Sequence, residues 1–227
     1  MLTAIFSETF PLLSTASPQT IEWMLNVATE HEYPTGRAVL MEDSWGNAVY
    51  FVISGWVKVR RTAGEDYRAL AILGRGDFFG EMAILDESPR STDVIALTPV
   101  KLLSISRNCF IQILFKDPQL HHRMLQMMVR RLRHVNMRLQ MRQAPPAVKL
   151  AYTLISLGEN YGQESENGRE IFNVSCQDFA DVTEIGVDEA EKIMEKLHEK
   201  GWINIDANKQ VINLVNLNQL MNLARKV

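Results

Sequence analysis

Gly74-Arg-Gly-Asp-Phe-Phe-Gly-Glu-Met-Ala-Ile-Leu-Asp-Glu-Ser-Pro-Arg-Ser-Thr92 lies between two apolar runs, and its reading decides the fold. It holds Gly74, Gly76 and Gly80, a Gly80-Glu81 step, and Arg90 nine positions beyond Glu81. Glycines let a backbone approach a ligand closely and take positive φ. Backbone N–H groups turned inward at such a bend form an anion nest. An Arg clamps two phosphate oxygens at once, and a nearby carboxylate accepts a hydrogen bond from a ribose hydroxyl. Phosphate and ribose together describe a nucleotide. The plainer alternative is a glycine-rich β-turn with a surface Arg, since short motifs of this kind also arise by chance.

Around that stretch, Arg37 to Ser106 breaks into strand-sized apolar runs separated by turns. Ala48-Val-Tyr-Phe-Val-Ile, then Ser54-Gly55, then Trp56-Val-Lys-Val-Arg predicts a hairpin. Arg68 to Leu73, Val94 to Leu97 and Val100 to Ile105 add strands, so a β-sandwich or roll is expected. Before it, Ser17-Pro18 supplies an N-cap and a first-turn Pro, and Ile21, Met24, Leu25 and Ala28 follow at helical spacing. After it, Ser106 to Leu114 predicts a short helix ending near Asp117-Pro118.

Beyond Pro118 the composition changes. Residues 1–117 carry 10 basic and 14 acidic groups, residues 118–143 carry 6 arginines and no acid, and residues 144–227 carry 8 basic and 13 acidic groups. The overall net charge of −3 hides this asymmetry. Leu125, Met128, Leu132, Val135 and Leu139 repeat at alternating steps of three and four, the a/d pattern of a coiled coil. A long helix with one narrow apolar stripe predicts a partner, most simply its own copy in a two-fold dimer. A helix lying on its own domain is the alternative.

Pro145-Pro146 interrupts the pattern. Ala147 to Leu157 predicts an amphipathic helix, and Ser175 to Val182 and Asp188 to Lys200 predict two more on either side of Gly186. The runs Trp202-Ile-Asn-Ile and Gln210-Val-Ile-Asn-Leu predict a hairpin. Helix–turn–helix followed by a hairpin is a winged helix. The expected class is α+β in three parts: a β-roll over residues 1–117, a dimerisation helix over 118–143 and a winged helix over 144–227.

Several functions lack the residues they need. No apolar run approaches the roughly 18 residues of a membrane span, and no basic region precedes the opening Met1-Leu-Thr-Ala-Ile-Phe, so a cytoplasmic protein without a signal peptide is expected. Cys109 and Cys176 are read as free thiols, too few for an iron–sulfur cluster. The five histidines are scattered, without metal-ligand spacing, so hydrolytic metal chemistry, and enzymatic activity with it, is not expected.

The order Phe79-Gly-Glu-Met-Ala-Ile84, then Pro89-Arg-Ser-Thr92, resembles the phosphate-binding cassette of cyclic-nucleotide-binding domains, specifically those of the CRP/FNR family of bacterial regulators. The resemblance covers nearly the whole chain. It implies that Arg90 holds a cyclic phosphate and Glu81 a ribose hydroxyl. It further implies that the backbone of Gly80, Met82 and Ala83 lines the phosphate edge and that Ser91 or Thr92 adds a hydroxyl. Relatives that have given up nucleotides usually lose the Glu–Arg pair; both residues remain here.

The family's DNA-reading helix corresponds to Asp188 to Lys200. Relatives typically show Ser or Arg, Glu, Thr, then Arg there, and this sequence departs at nearly every position. Asp188, Glu189, Glu191, Glu195 and Glu199 face three lysines. Acids at the helix start suit its dipole but repel a polyanion. Lys192, Lys196 and Lys200 form a phosphate-facing stripe on one reading, and pair with Asp188, Glu195 and Glu199 on the other. The acidic balance favours a degenerate winged helix that docks a partner protein such as a transcription factor; direct promoter binding is the alternative.

The family's cyclic-AMP receptors use a Thr-Ser pair on the long helix to contact adenine, and Val135-Asn136 stands in that place. Arginines suit the paired acceptors of guanine. An intact cassette, an acidic reading helix and an arginine-rich dimer helix together resemble the family's cyanobacterial cyclic-di-GMP receptors. The resemblance thus favours cyclic di-GMP first and cyclic AMP second, and the guanine chemistry makes Arg130, Arg133 and Asn136 the candidate contacts on the long helix. A solvated coiled-coil flank is the alternative for these arginines.

Overall fold

In the computed structural model, residues 2–64, 66–166 and 168–225 are described. The chain divides into two units, Met1–Arg133 and His134–Val227. The first runs α1 (Leu2–Thr9), α2 (Pro18–Val27), β1 (Thr29–Tyr33), β2 (Ala38–Leu40), β3 (Ala48–Ser54), β4 (Val57–Ala63), β5 (Asp66–Leu73), β6 (Phe78–Phe79), α3 (Glu81–Leu85), β7 (Asp93–Ala96), β8 (Val100–Ser106) and α4 (Arg107–Lys116). The long helix α5 (Pro118–Gln140) spans the boundary between the units.

Two four-stranded antiparallel sheets, ordered β1-β8-β3-β6 and β2-β7-β4-β5, make the roll. Alternation along β3 sorts its side chains. Val52 points inward with Phe79, Leu102 and Val100 against Leu40, Val57, Val94 and Ala96 of the other sheet. Val49 and Phe51 point outward, with Phe78 and Ile105, onto a helical layer holding Phe10, Ile21, Phe110 and Leu120. Each fully buried side chain of this size contributes about 1.5–3 kcal/mol. The helical layer, with more of them, is therefore the larger source of stability for this unit.

Helix starts are capped as their sequences predict. The Ser17 hydroxyl accepts from Thr20 N at 3.1 Å. Asp117, buried, begins α5 by accepting from Leu120 N at 3.0 Å and Gln119 N at 3.1 Å. Its other oxygen accepts from Ser17 N at 3.0 Å and from the Thr20 hydroxyl at 2.7 Å. One carboxylate thus closes the start of α5 onto the start of α2.

One expectation needs correction. The run from Ala48 to Arg60 is not a hairpin: β3 pairs with β6 and β8, whereas β4 pairs with β5 and β7. The Ser54-Gly55 turn carries the chain between sheets, with Gly55 at φ +82 and no room for a Cβ beside the Pro99 carbonyl. Local alternation reveals a strand–turn–strand but not which partners each strand finds. In addition, Thr29-Glu-His-Glu-Tyr33, too polar to announce itself, forms an edge strand on β8. Its His31 is bonded across to the Ser104 hydroxyl at 2.9 Å.

The second unit holds the last turns of α5, then α6 (Pro146–Tyr161), β9 (Gln163–Ser165), β10 (Gly168–Phe172), α7 (Cys176–Thr183), α8 (Val187–Glu199), β11 (Ile203–Asp206), β12 (Val211–Leu214) and α9 (Leu217–Ala224). Helices α7 and α8 with the sheet β11-β12-β10-β9 form the winged helix. Arg138, from the last turns of α5, donates to Val182 O at 2.9 Å in the last turn of α7. That carbonyl end favours a cation. On α8, Ala190, Met194 and Leu197 are buried, which leaves the five acids and three lysines exposed. The expected ion pairs do not form: among the described residues no salt bridge involves α8. In open water an ion pair gains too little to hold two long side chains together. Lys200 instead sits 4.9 Å from the centre of the Trp202 ring.

Candidate functional site

The quoted stretch is built around two tight backbone positions. Between Gly74 and Asp77 the chain turns, with Asp77 N donating to Gly74 O at 3.1 Å. Phe78–Phe79 then pairs with β3 through Tyr50↔Phe79 and Phe51↔Phe78. Gly80, at φ +84, starts α3, and a Cβ there would lie 2.6 Å from an Arg90 nitrogen. On the other side, a Cβ at Gly46 would lie 2.6 Å from the Arg90 guanidinium carbon. Two glycines therefore admit one guanidinium.

Arg90 is only 4% exposed. Its backbone is pinned by Arg90 N to Ser44 O and Asp43 N to Arg90 O, both 2.8 Å. Its side chain donates to Gly80 O and, at 2.6 Å, to Ala48 O. Both acceptors are neutral carbonyls, and no ion pair balances the charge among the described residues. Burial pulls its pKa below the ordinary value, while Tyr50 and Glu81 oppose that fall. A buried cation bonded to neutral carbonyls has the chemistry to take an anion: a phosphate would supply the missing charge through a two-pronged contact.

Glu81, 3% exposed, opens α3. Its carboxylate is paired with Arg131 of α5, which also donates to Phe78 O at 2.6 Å. The Arg131 guanidinium lies 4.3 Å from the centre of the Phe78 ring. The structure thus gathers Gly80, Glu81, buried Ala83 and Arg90. Met82 and Ser91 are exposed, and Thr92 is partly so. Arg130 and Arg133 point into solvent; Asn136, also exposed, belongs to the second unit.

Sequence reasoning chose the arginines on either side of Arg131 and missed it. Leu120 and Met124 are the buried side of α5, and Arg131 is seven residues past Met124 on that face, a side of the helix that the seam pattern in the sequence does not mark. The predicted seam is a different stripe. Leu125, Leu132, Val135 and Leu139 are all more than half exposed and Val129 is half exposed, while Met128 packs partly against the core of its own unit.

Among the described residues no cluster of His, Cys, Asp and Glu could hold a metal ion, and no helix is long and apolar enough to cross a membrane. Cys109 and Cys176 are both free.

Comparison with known proteins agrees with this geometry. Residues 30–117 match the cyclic nucleotide-binding domain family. A cyclic AMP receptor protein of Thermus thermophilus is 32% identical over 149 residues, which are 65% of this chain and 69% of that protein. The crystal structure of a catabolite activator protein from Thermus thermophilus superposes with a TM-score of 0.53 at 26% identity, covering 94% of this chain and 98% of the other. The c-di-GMP-responsive global regulator CLP of Xanthomonas campestris shares the fold, with a TM-score of 0.69 at 22% identity over 87% and 99% of the two chains. With its cassette, roll and winged helix in place, the chain belongs to the CRP/FNR family of regulators.

Proposed function

We propose that this chain is a second-messenger receptor whose cassette binds a cyclic nucleotide, cyclic di-GMP in preference to cyclic AMP. The observation that carries the reading is Arg90, buried, charged and, among the described residues, bonded by its side chain only to carbonyl oxygens. A cyclic phosphate at Arg90 gains an ionic contact, and a ribose hydroxyl at Glu81 competes with Arg131 for the carboxylate. Gly80, Met82 and Ala83 line the phosphate edge, and Ser91 or Thr92 adds a hydroxyl. Arg130, Arg133 and Asn136, exposed on α5, are free to meet the guanines of a larger ligand.

The receptor works as a cytoplasmic homodimer. Its exposed stripe of Leu125, Leu132, Val135 and Leu139 needs a cover, and a second copy of α5 supplies one with matching spacing. In this scheme residues 1–117 sense, 118–143 dimerise and 144–227 deliver the output. Ligand shifts the population of dimer geometries in proportion to its differential affinity for them. The output is a partner protein, because the exposed face of α8 carries five acids that no lysine neutralises within ion-pair distance among the described residues.

A cyclic-AMP-gated transcription factor is the second reading. It is favoured by the similarity to proteins described as a cyclic AMP receptor protein and, in Mycobacterium tuberculosis, as a cAMP-activated global transcriptional regulator. Calorimetry of the wild-type chain against cyclic AMP, cyclic GMP and cyclic di-GMP separates the ligands; binding of none refutes the receptor. Gel shift with salt titration separates the outputs, since direct DNA binding weakens steeply as salt rises.

A further inference from the structure

We propose that the Tyr50 hydroxyl is a further ligand-contacting group, donating a hydrogen bond to the anionic oxygen that Arg90 holds. The inference rests on the cyclic-nucleotide reading of the cassette and adds a residue to it from the floor of the roll.

Tyr50 lies on the inward face of β3, where its neighbours Val52, Phe79 and Leu102 are apolar. Its ring stacks on Phe79 with centroids 5.5 Å apart and planes 9° from parallel. Phenylalanine would fill this place equally well, so packing does not account for the oxygen. The hydroxyl has no hydrogen-bond partner among the described residues, and Tyr50 is only partly buried, so its oxygen is open to a ligand.

Its position in the sheet supplies the reason. Ala48, two residues before Tyr50 on the same face, provides one carbonyl to Arg90. Phe79, the cross-strand partner of Tyr50, directly precedes Gly80, which provides the other. The phenol is therefore framed by the two backbone points that hold the guanidinium. The two groups also sense each other. Burial, with a smaller push from Tyr33, raises the Tyr50 pKa above 10.0 while the Arg90 charge opposes the rise. The phenol is thus protonated and a donor at neutral pH. Arg90 has donors alone and cannot accept that proton. An oxygen of a cyclic phosphodiester lying between them satisfies both groups in charge-assisted bonds.

The test is Tyr50→Phe, which keeps the stacked ring and removes only the oxygen. Calorimetry of the full-length variant against cyclic AMP and cyclic di-GMP is expected to show affinity for the bound nucleotide reduced about tenfold or more, with the thermal midpoint kept. A structural role would not produce the second readout: wild type gives a tyrosine difference absorbance on ligand addition, and Tyr50→Phe loses it. Affinity within about twofold of wild type, or an unchanged difference spectrum, overturns the inference and leaves the receptor reading standing. A wild-type chain that binds neither nucleotide overturns both.

Discussion

The cassette and α8 are opposite cases of unbalanced charge. In the cassette one cation, Arg90, is buried and its side chain donates only to carbonyls among the described residues. On α8 five carboxylates stand in solvent with no lysine in ion-pair range among the described residues. Exposure sets the consequence. A buried charge is screened far less by water and salt, so a small counter-ion gains a large and specific contact there. Exposed acids at a helix start make no pocket; they set a field that discourages a polyanion and welcomes a basic surface. Under the proposed reading, burial joined to charge is what separates a ligand site from a docking face.

The largest expected effect breaks the cassette half of that contrast. Arg90→Ala removes the buried cation, and affinity for the cyclic nucleotide should fall about a hundredfold or more in calorimetry. Affinity equal to wild type would show that the unbalanced guanidinium is only a structural tie between Ala48 and Gly80.

Asp117 offers a buried charge that is fully satisfied, as a control. Burial pushes its carboxyl up, but hydrogen bonds from Ser17, Thr20, Leu120 and Gln119 together hold it below the ordinary 3.8. Its stabilisation is therefore present above that value and is lost as pH falls through the lowered folded-state value. Asp117→Asn should cost roughly 1–3 kcal/mol in chemical denaturation at neutral pH, and the gap to wild type should close in strong acid. No ligand effect is expected.

Arg131→Ala sharpens the comparison from inside the site. It strips the partner from a buried Glu81, but Arg131 itself is one-third exposed, so water takes up part of the loss. Stability should drop about 1–2 kcal/mol. The measurement is thermal melting with and without ligand; if ribose replaces Arg131 at Glu81, bound nucleotide should restore part of the loss.

The smallest effect tests α8. Asp188→Asn, Glu189→Gln and Glu191→Gln together remove three negative charges from its first turns. DNA affinity at low salt, followed by gel shift, should rise roughly threefold to tenfold. An unchanged shift would mean that these acids do not control nucleic-acid access.

How far the sequence could be read varied with the distance over which each feature is determined. The helix caps at Ser17 and Ser175, the 4-then-3 spacing of Ala190, Met194 and Leu197, and the glycines of the cassette could all be read because each depends on neighbours within a turn or two. The polar β1 strand could not, since its pairing with β8 spans some seventy residues of chain. Arg131 escaped notice because its partners Glu81 and Phe78 are fifty and fifty-three positions away.

The amino-acid sequence on its own determined the family, the order of roll, long helix and winged helix, and the presence of Glu81 and Arg90 nine positions apart, because motif spacing and periodicity are properties of short stretches. Only the tertiary structure decided that β3 and β4 join different sheets, that Arg131 rather than Arg130 or Arg133 meets Glu81, and that Arg90 is bonded to carbonyls alone. Those outcomes depend on which distant segments share a core, and local pattern does not encode the distance between them.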